Sequence, residues 1–200
     1  MPVQTQLDIT TMLPATFTAP GLTEAQFITL CAEFPDCLLE YTAEGTLIVM
    51  PSTDPESGGR VAEVVIQLGT WSKQEGSGTV VGPDTGFFFR QGSRRSPDAT
   101  WFSKRRWREA KRPGVVFPVF APEFVVEVLS PHDRLRALQD KMREYIDNGV
   151  QLGWLIDPFE RSVTIYRPGQ APEVLEHPKS VAGEGPVAGF VLQLDQILNG

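Results

Sequence analysis

Two hundred residues, 41% apolar and 22% charged, suit one globular domain and leave no room for two independent enzymatic ones. Eighteen glycines and 17 prolines are too few for a disordered or collagen-like chain but enough to predict many turns, hence many strands. A net charge of −7 excludes a uniformly basic nucleic-acid binder, and no stretch approaches the roughly 18 consecutive apolar residues of a membrane span.

The N-terminus MPVQTQLDIT has neither a basic region nor a following apolar run, so a cytoplasmic protein with no membrane partner is expected. Thr23 with Gln26 three residues on forms a capping box, and Ala25, Phe27, Ile28, Leu30 and Cys31 follow at helical spacing, predicting a helix over 23–34. Cys31 and Cys37 have no CxxC pattern or histidine cluster beside them, so reduced thiols are expected rather than a zinc site or disulfide. LLEY, the break at Ala43-Glu44-Gly45, and TLIVM predict a hairpin that Pro51 ends. Val61, Val64, Val65, Leu68 and Trp71 recur at threes and fours, predicting a helix over 57–74.

GTVVG, TGFFFR and PDATWF are β-branched or aromatic and separated by Gly, Pro or Asp, which predicts successive strands in a meander. Charge concentrates here. Residues 1–59 hold eight acids and no Lys or Arg, whereas residues 90–112 hold nine of the 18 bases against Asp98 and Glu109. Such a cluster, with Trp101 and Trp107 interleaved, is either a solvated face or a phosphate-binding surface.

EFVVEVL, closed by Ser130-Pro131, predicts a strand buried on both faces. Asp133 then caps a helix with a stripe of Leu135, Leu138, Met142, Tyr145 and Ile146, stopped by Asn148-Gly149, and QLGWLID forms the next strand. Strand, helix and strand in this order make a βαβ crossover with parallel strands. RSVTIYRP predicts an edge or meander strand, PEVLEH and GFVLQL two short strands, and a helical turn falls near Ile197. The fold class is α/β, or α+β with a mixed sheet flanked by helices. It forms a single domain over 1–200, with a core at about 57–157, an N-terminal helix and hairpin at 20–51, and C-terminal strands at 161–200.

Alternation in EFVVEVL puts Glu127 mid-strand inside a hydrophobic sheet, where an ionised carboxylate costs several kcal/mol unless a cation or hydrogen bonds meet it. A structural ion pair with an Arg or a frayed edge open to water satisfies that need, and so does a metal or general-acid role if a second acid converges. Asp98 is the candidate second acid, because Pro97 fixes the chain as extended on entry to ATWF. Paired carboxylates suit a hard divalent cation such as Mg²⁺. On a helical wheel with Leu138 at zero, Lys141 falls at about 300° beside Tyr145 at about 340°, so its ammonium can reach past the stripe toward the strand of Glu127. A snorkelling boundary lysine would look the same.

The series SPDATWF, PEFVVEVLSPHDR, LQDKMREYIDNGVQLGWLIDP and RSVTIYRPGQ resembles the Uma-two "putative restriction endonuclease" family, best represented in cyanobacteria, of the PD-(D/E)xK nuclease-like superfamily. The likeness runs from about residue 20 to the C-terminus. It implies a restriction-endonuclease-like core of a mixed sheet flanked by helices, in which an acidic pair holds Mg²⁺ (or Mn²⁺) and a lysine helps activate the attacking water. Asp98 and Glu127 match the acids, and the backbone carbonyl of Val128 joins them as a metal ligand. Leu129 stands where the superfamily lysine would be, and Lys141 matches a position displaced to the following helix. Glu63 matches a further metal-site acid, although with Val61 at zero it falls at about 200°, away from the stripe. Gln139 and Tyr145 match positions near the lysine, and Ser130 is a looser candidate.

The implied activity is metal-dependent hydrolysis of DNA phosphodiester bonds, with Arg94, Arg95, Lys104, Arg105, Arg106 and Arg108 holding the DNA backbone and a homodimer as the expected assembly. Two alternatives stay open: a catalytically inactive nuclease-fold module that binds DNA or protein, and an interaction protein whose basic stretch docks an acidic surface. A Ser or Cys hydrolase is remote, because His132 and His177 are the only histidines and GxSxG is absent.

Overall fold

The computed structural model describes residues 14–115 and 117–199; the N-terminal decapeptide discussed above lies outside them. In chain order the elements are β1 (Ala15–Thr18), α1 (Glu24–Glu33), β2 (Leu38–Tyr41), β3 (Thr46–Met50), α2 (Pro55–Glu75), β4 (Gly78–Val81), β5 (Phe87–Phe88), β6 (Arg94–Arg95), β7 (Ala99–Ser103) and α3 (Lys104–Ala110). Then follow β8 (Phe124–Val128), α4 (Leu135–Asp147), β9 (Leu152–Asp157), β10 (Ser162–Tyr166), β11 (Glu173–Glu176), β12 (Ser180–Ala182), β13 (Val191–Gln193) and α5 (Asp195–Leu198).

Local chemistry sets the helix ends. Thr23 and Gln26 close the capping box of α1 in both directions. Asp54 caps α2 ahead of Pro55, and Gly76 ends that helix in the left-handed region. Asp133 does not cap α4. Its carboxylate instead takes the Ser130 N–H at 2.9 Å and hydroxyl at 2.7 Å, so it fixes the turn leaving β8.

Six strands form the main sheet in the order β11-β10-β9-β8-β7-β4, mixed because β8 and β9 run parallel while the other pairs are antiparallel. The βαβ crossover through α4 is as expected. Val61, Val64 and Leu68 of α2 pack on one face, with Val126, Val128, Trp154 and Ile156 of the sheet and the C-terminal Phe190, Leu192 and Ile197. On the other face Leu138, Met142 and Tyr145 of α4 meet Phe102, Val125, Leu129 and Leu155.

The expected meander does not form. β4 pairs with β7, whereas β5 and β6 join a second, five-stranded sheet in the order β1-β3-β2-β6-β5. The three consecutive phenylalanines explain this routing, because alternation sends Phe87 and Phe89 into the α4 core and Phe88 into the core under α1. Strand β5 is therefore a wedge between two cores. Of the two alternatives for β10 the structure shows the meander, with β9 and β11 antiparallel on either side, and the basic run 104–110 is helical.

Candidate active site

Ala99 pairs with Val126 and Thr100 with Val125 in the antiparallel β7·β8 ladder, so one further step sets Asp98 opposite Glu127 on the same face. That face is the one α4 covers. The Asp98 carboxylate, half-buried, accepts the backbone N–H of Val128 at 2.7 Å. Glu127, 3% exposed, sits between Val126 and Val128 in the central strand.

Helix α4 meets this pair from above. The Lys141 ammonium lies 2.9 Å from Oε1 and 3.0 Å from Oε2 of Glu127, and one turn on the Tyr145 hydroxyl donates to Oε1 at 2.8 Å. A third acid, Glu40 of β2, reaches in from the second sheet. Its Oε1 lies 2.8 Å from the Lys141 ammonium and accepts the Ser96 N–H at 2.8 Å, while its Oε2 pairs with Arg95 at 3.1 Å. The Arg95 guanidinium also grips Glu144 of α4. Sequence reasoning missed Glu40. The signal was the same one that exposed Glu127, a lone acid bracketed by Leu39 and Tyr41 in a short strand, but the partner lies in another sheet.

Burial raises the carboxyl of Asp98 to about 6, against the pull of Lys141 and the Val128 N–H. Burial likewise raises Glu127 to about 8, with Lys141 opposing and the neighbouring Asp98 and Glu40 adding to the rise. Burial would also raise Glu40, but Lys141 and Arg95 outweigh it and hold that carboxyl below its ordinary value. When ionised, Glu40, Asp98, Glu127 and Glu144 set four negative charges against the two positive ones of Lys141 and Arg95. The deficit of two is what one divalent cation supplies. Among the described residues no group of three or more His, Cys, Asp or Glu side chains is arranged to hold a metal. A cation here would rest on two carboxylates and take its other ligands from backbone and water, which fits Mg²⁺ and Mn²⁺.

The other predicted residues are scattered. Glu63 lies on α2, across the sheet from Glu127, and accepts a hydrogen bond from Gln67 at 2.8 Å, so the structure does not bring it to the acid pair. Gln139 is half-buried on α4 and its side chain makes no hydrogen bond among the described residues, and Ser130 serves the turn with Asp133.

Arg94 and Arg95 are not on a DNA-facing surface, which corrects the expectation from charge count. Arg94, 9% exposed, lies 5.0–5.3 Å from the ring centroids of Phe88, Tyr41 and Phe27 and donates to the Gly92 carbonyl. Arg106 pairs with the buried Glu123 at 3.3 Å and donates to the Ala121 carbonyl. Lys104, Arg105 and Arg108 are exposed. They stand at the Ser103 end of β7, while Asp98 is at its start, a separation of about 17 Å at the strand rise of about 3.3 Å per residue.

A mixed sheet that carries an acid pair on adjacent strands and a lysine on the crossover helix places the chain in the nuclease-like α/β class. The profile of the Uma2 family, described as "putative restriction endonuclease", matches residues 24–195, and the chain belongs to that family. A protein from Anabaena variabilis ATCC 29413, whose crystal structure is described as that of a "putative nuclease belonging to DUF820", superposes with a TM-score of 0.70 at 24% identity. The match covers 80% of this chain and 89% of that one, and shows the shared fold. No curated protein matches. Among the described residues no helix is long and apolar enough to cross a membrane.

Proposed function

We propose that the protein is a Mg²⁺- or Mn²⁺-dependent endonuclease that hydrolyses DNA phosphodiester bonds. The observation that carries this reading is the antiparallel register that sets Asp98 beside Glu127, with the Lys141 ammonium 2.9 Å from the latter. Asp98, Glu127 and the backbone carbonyl of Val128 would hold the cation, which when bound polarises the scissile phosphate and acidifies a water. Lys141 supplies a fixed positive charge where negative charge accumulates on the phosphate oxygens. Tyr145 fixes the rotamer of Glu127. The packed α4 core keeps bulk water from the far side of the acid pair, so these charges act in a low dielectric.

Arg134, the N-cap of α4, and Arg136 in its first turn are exposed and would meet phosphates beside the cut. Lys104, Arg105 and Arg108 would contact backbone farther along, about five nucleotides away at about 3.4 Å per residue of one strand. Cutting both strands would take two copies, which makes a homodimer part of the proposal.

The test is nicking of supercoiled plasmid in Mg²⁺ or Mn²⁺, expected for wild type and absent in EDTA, in Asp98→Ala and in Glu127→Ala. A second reading, an inactive binding module, is favoured by the Lys141 ammonium, which already occupies both oxygens of Glu127. DNA binding that survives in a wild-type protein unable to nick would select it.

A further inference from the structure

The mechanism above leaves Glu40 without a task, although its carboxylate is 2% exposed and satisfied on both oxygens. We infer that Glu40 is a positioning residue that anchors the Lys141 ammonium while a divalent cation occupies Asp98 and Glu127. This inference rests on the metal-dependent reading and assigns the N-terminal hairpin a working part in the site.

Lys141 has two carboxylate partners, Glu127 on the neighbouring strand and Glu40 on β2. Once Glu127 turns to a divalent cation, the ammonium has a like charge beside it and only one acid left to hold it. The buried charges then divide into neutral sets: the cation with Asp98 and Glu127, Lys141 with Glu40, and Arg95 with Glu144. Without Glu40 the second set is an uncompensated buried cation, which the site can relieve by expelling the metal or by swinging the amine away.

Glu40 is held rigidly enough for this role. The Ser96 N–H and Arg95 fix its two oxygens, and the bridge between Tyr41 and Arg94 fixes its strand. Arg95 in turn spans from Glu40 to Glu144 on α4, so the hairpin and the lysine-bearing helix are tied at two points.

The experiment measures Mn²⁺ binding by calorimetry without nucleic acid, for wild type, Glu40→Gln, Lys141→Met and the double variant. Glu40→Gln is expected to weaken Mn²⁺ binding about tenfold, because the freed ammonium opposes the metal. In the Lys141→Met background the same change should alter binding by less than about twofold, since Glu40 then has no amine to hold. Equal weakening in both backgrounds would mean that Glu40 acts on the metal directly, and no weakening in either would mean that it does not act; each result overturns the inference.

Two further measurements keep the test decisive. Glu40→Asp retains the charge and should recover most of the lost affinity. At a Mn²⁺ concentration that saturates both proteins, so that Glu127 is engaged by the cation, reductive methylation read by peptide mass should modify Lys141 at least about tenfold faster in Glu40→Gln than in wild type, with exposed Lys104 unchanged. Equal reactivity of Lys141 in the two Mn²⁺-loaded proteins overturns the inference. If the Mn²⁺ cycle and the methylation pattern come out as expected while wild type fails to nick plasmid, the nuclease reading falls and the positioning role stands.

Discussion

Tyr145 donates its hydroxyl to Oε1 of Glu127 at 2.8 Å, from one helical turn beyond the lysine that grips the same carboxylate. Both residues are buried, and burial, with the Glu127 and Glu40 carboxylates nearby, pushes the phenol well above its ordinary pKa, so it remains a donor at any working pH. Tyr145→Phe removes that donor and keeps the ring contact with Phe89. Stability should fall by about 1–3 kcal/mol, the range for leaving one buried hydrogen-bond partner unsatisfied. Urea unfolding should show a lower midpoint at unchanged slope. Cleavage should drop less than in Glu127→Ala, because the acid remains and only its rotamer loosens.

The acid pair predicts a pH dependence with a definite sign. Glu127 titrates at about 8 in the folded protein, above its ordinary value, because burial disfavours its charged form. A group raised on folding stabilises fully below its unfolded pKa, and that stabilisation is lost as pH rises through the folded one. Wild type in EDTA should therefore lose thermal stability between about pH 5 and pH 8, and Glu127→Gln should lose much less. Added Mg²⁺ should flatten the wild-type slope. Asp98, raised to about 6, loses its proton earlier, so Mg²⁺-dependent cleavage should climb from pH 6 to pH 8. A rate that falls over this interval would contradict the assignment of the pair as metal ligands.

How legible these groups were depends on whether a local period fixed them. Glu127 was visible because one acid interrupts an apolar strand, Asp98 because Pro97 forces the entry to the next strand, and Lys141 because 3.6-residue geometry puts it beside the stripe. Their meeting needed only the pairing of β7 with β8 and a standard crossover. Glu40 depends on how a second sheet docks on the first, for which the sequence has no local period. Counting charges also misplaced Arg94 and Arg95. A guanidinium among Phe27, Tyr41 and Phe88 is stabilised by rings from three distant segments, and the count of bases in a window is blind to that. The same limit applies to Glu63, where the wheel pointed away from the core and the family likeness pointed toward the site; the structure follows the wheel.

Helix α3 presents Lys104, Arg105 and Arg108 to solvent, with Arg105 sharing Glu109 at 2.9 Å. Because α3 sits about 17 Å along β7 from Asp98, its charges can touch only a substrate that extends about five nucleotides past the cut. Arg105→Ala with Arg108→Ala should weaken binding of a 30-mer duplex by about tenfold at low salt and lower its salt slope by about one to two. The same pair of changes should leave cleavage of a substrate with fewer than about four nucleotides on that side unaltered. Arg134→Ala with Arg136→Ala should impair both substrates. Equal effects of the two pairs on the short substrate would place α3 against the site itself.

Gly153 of β9 sets the distance between the sheet and α4. A Cβ at this position would lie 2.5 Å from Cε of Met142, which is fully buried, and 3.4 Å from Cγ2 of Val125. Met142 follows Lys141 directly; its Cε is the far end of a flexible side chain, but Tyr145, Leu138 and Leu155 share the same buried core, so room for it must come from a neighbour or from the helix. Gly153→Ala therefore lifts the helix at the turn that carries the lysine. Overpacking of this kind costs about 1–3 kcal/mol. The functional loss should exceed the loss of stability, because a shift of about 1 Å can cost about a hundredfold in rate while the fold persists. Gly153→Ala combined with Met142→Ala, which vacates the contested volume, should recover much of the cleavage rate even though the missing thioether keeps the protein less stable than wild type. Unfolding midpoints and single-turnover rates measured together separate the two effects, and a rate that simply tracks stability across both variants would show that α4 does not set the position of Lys141.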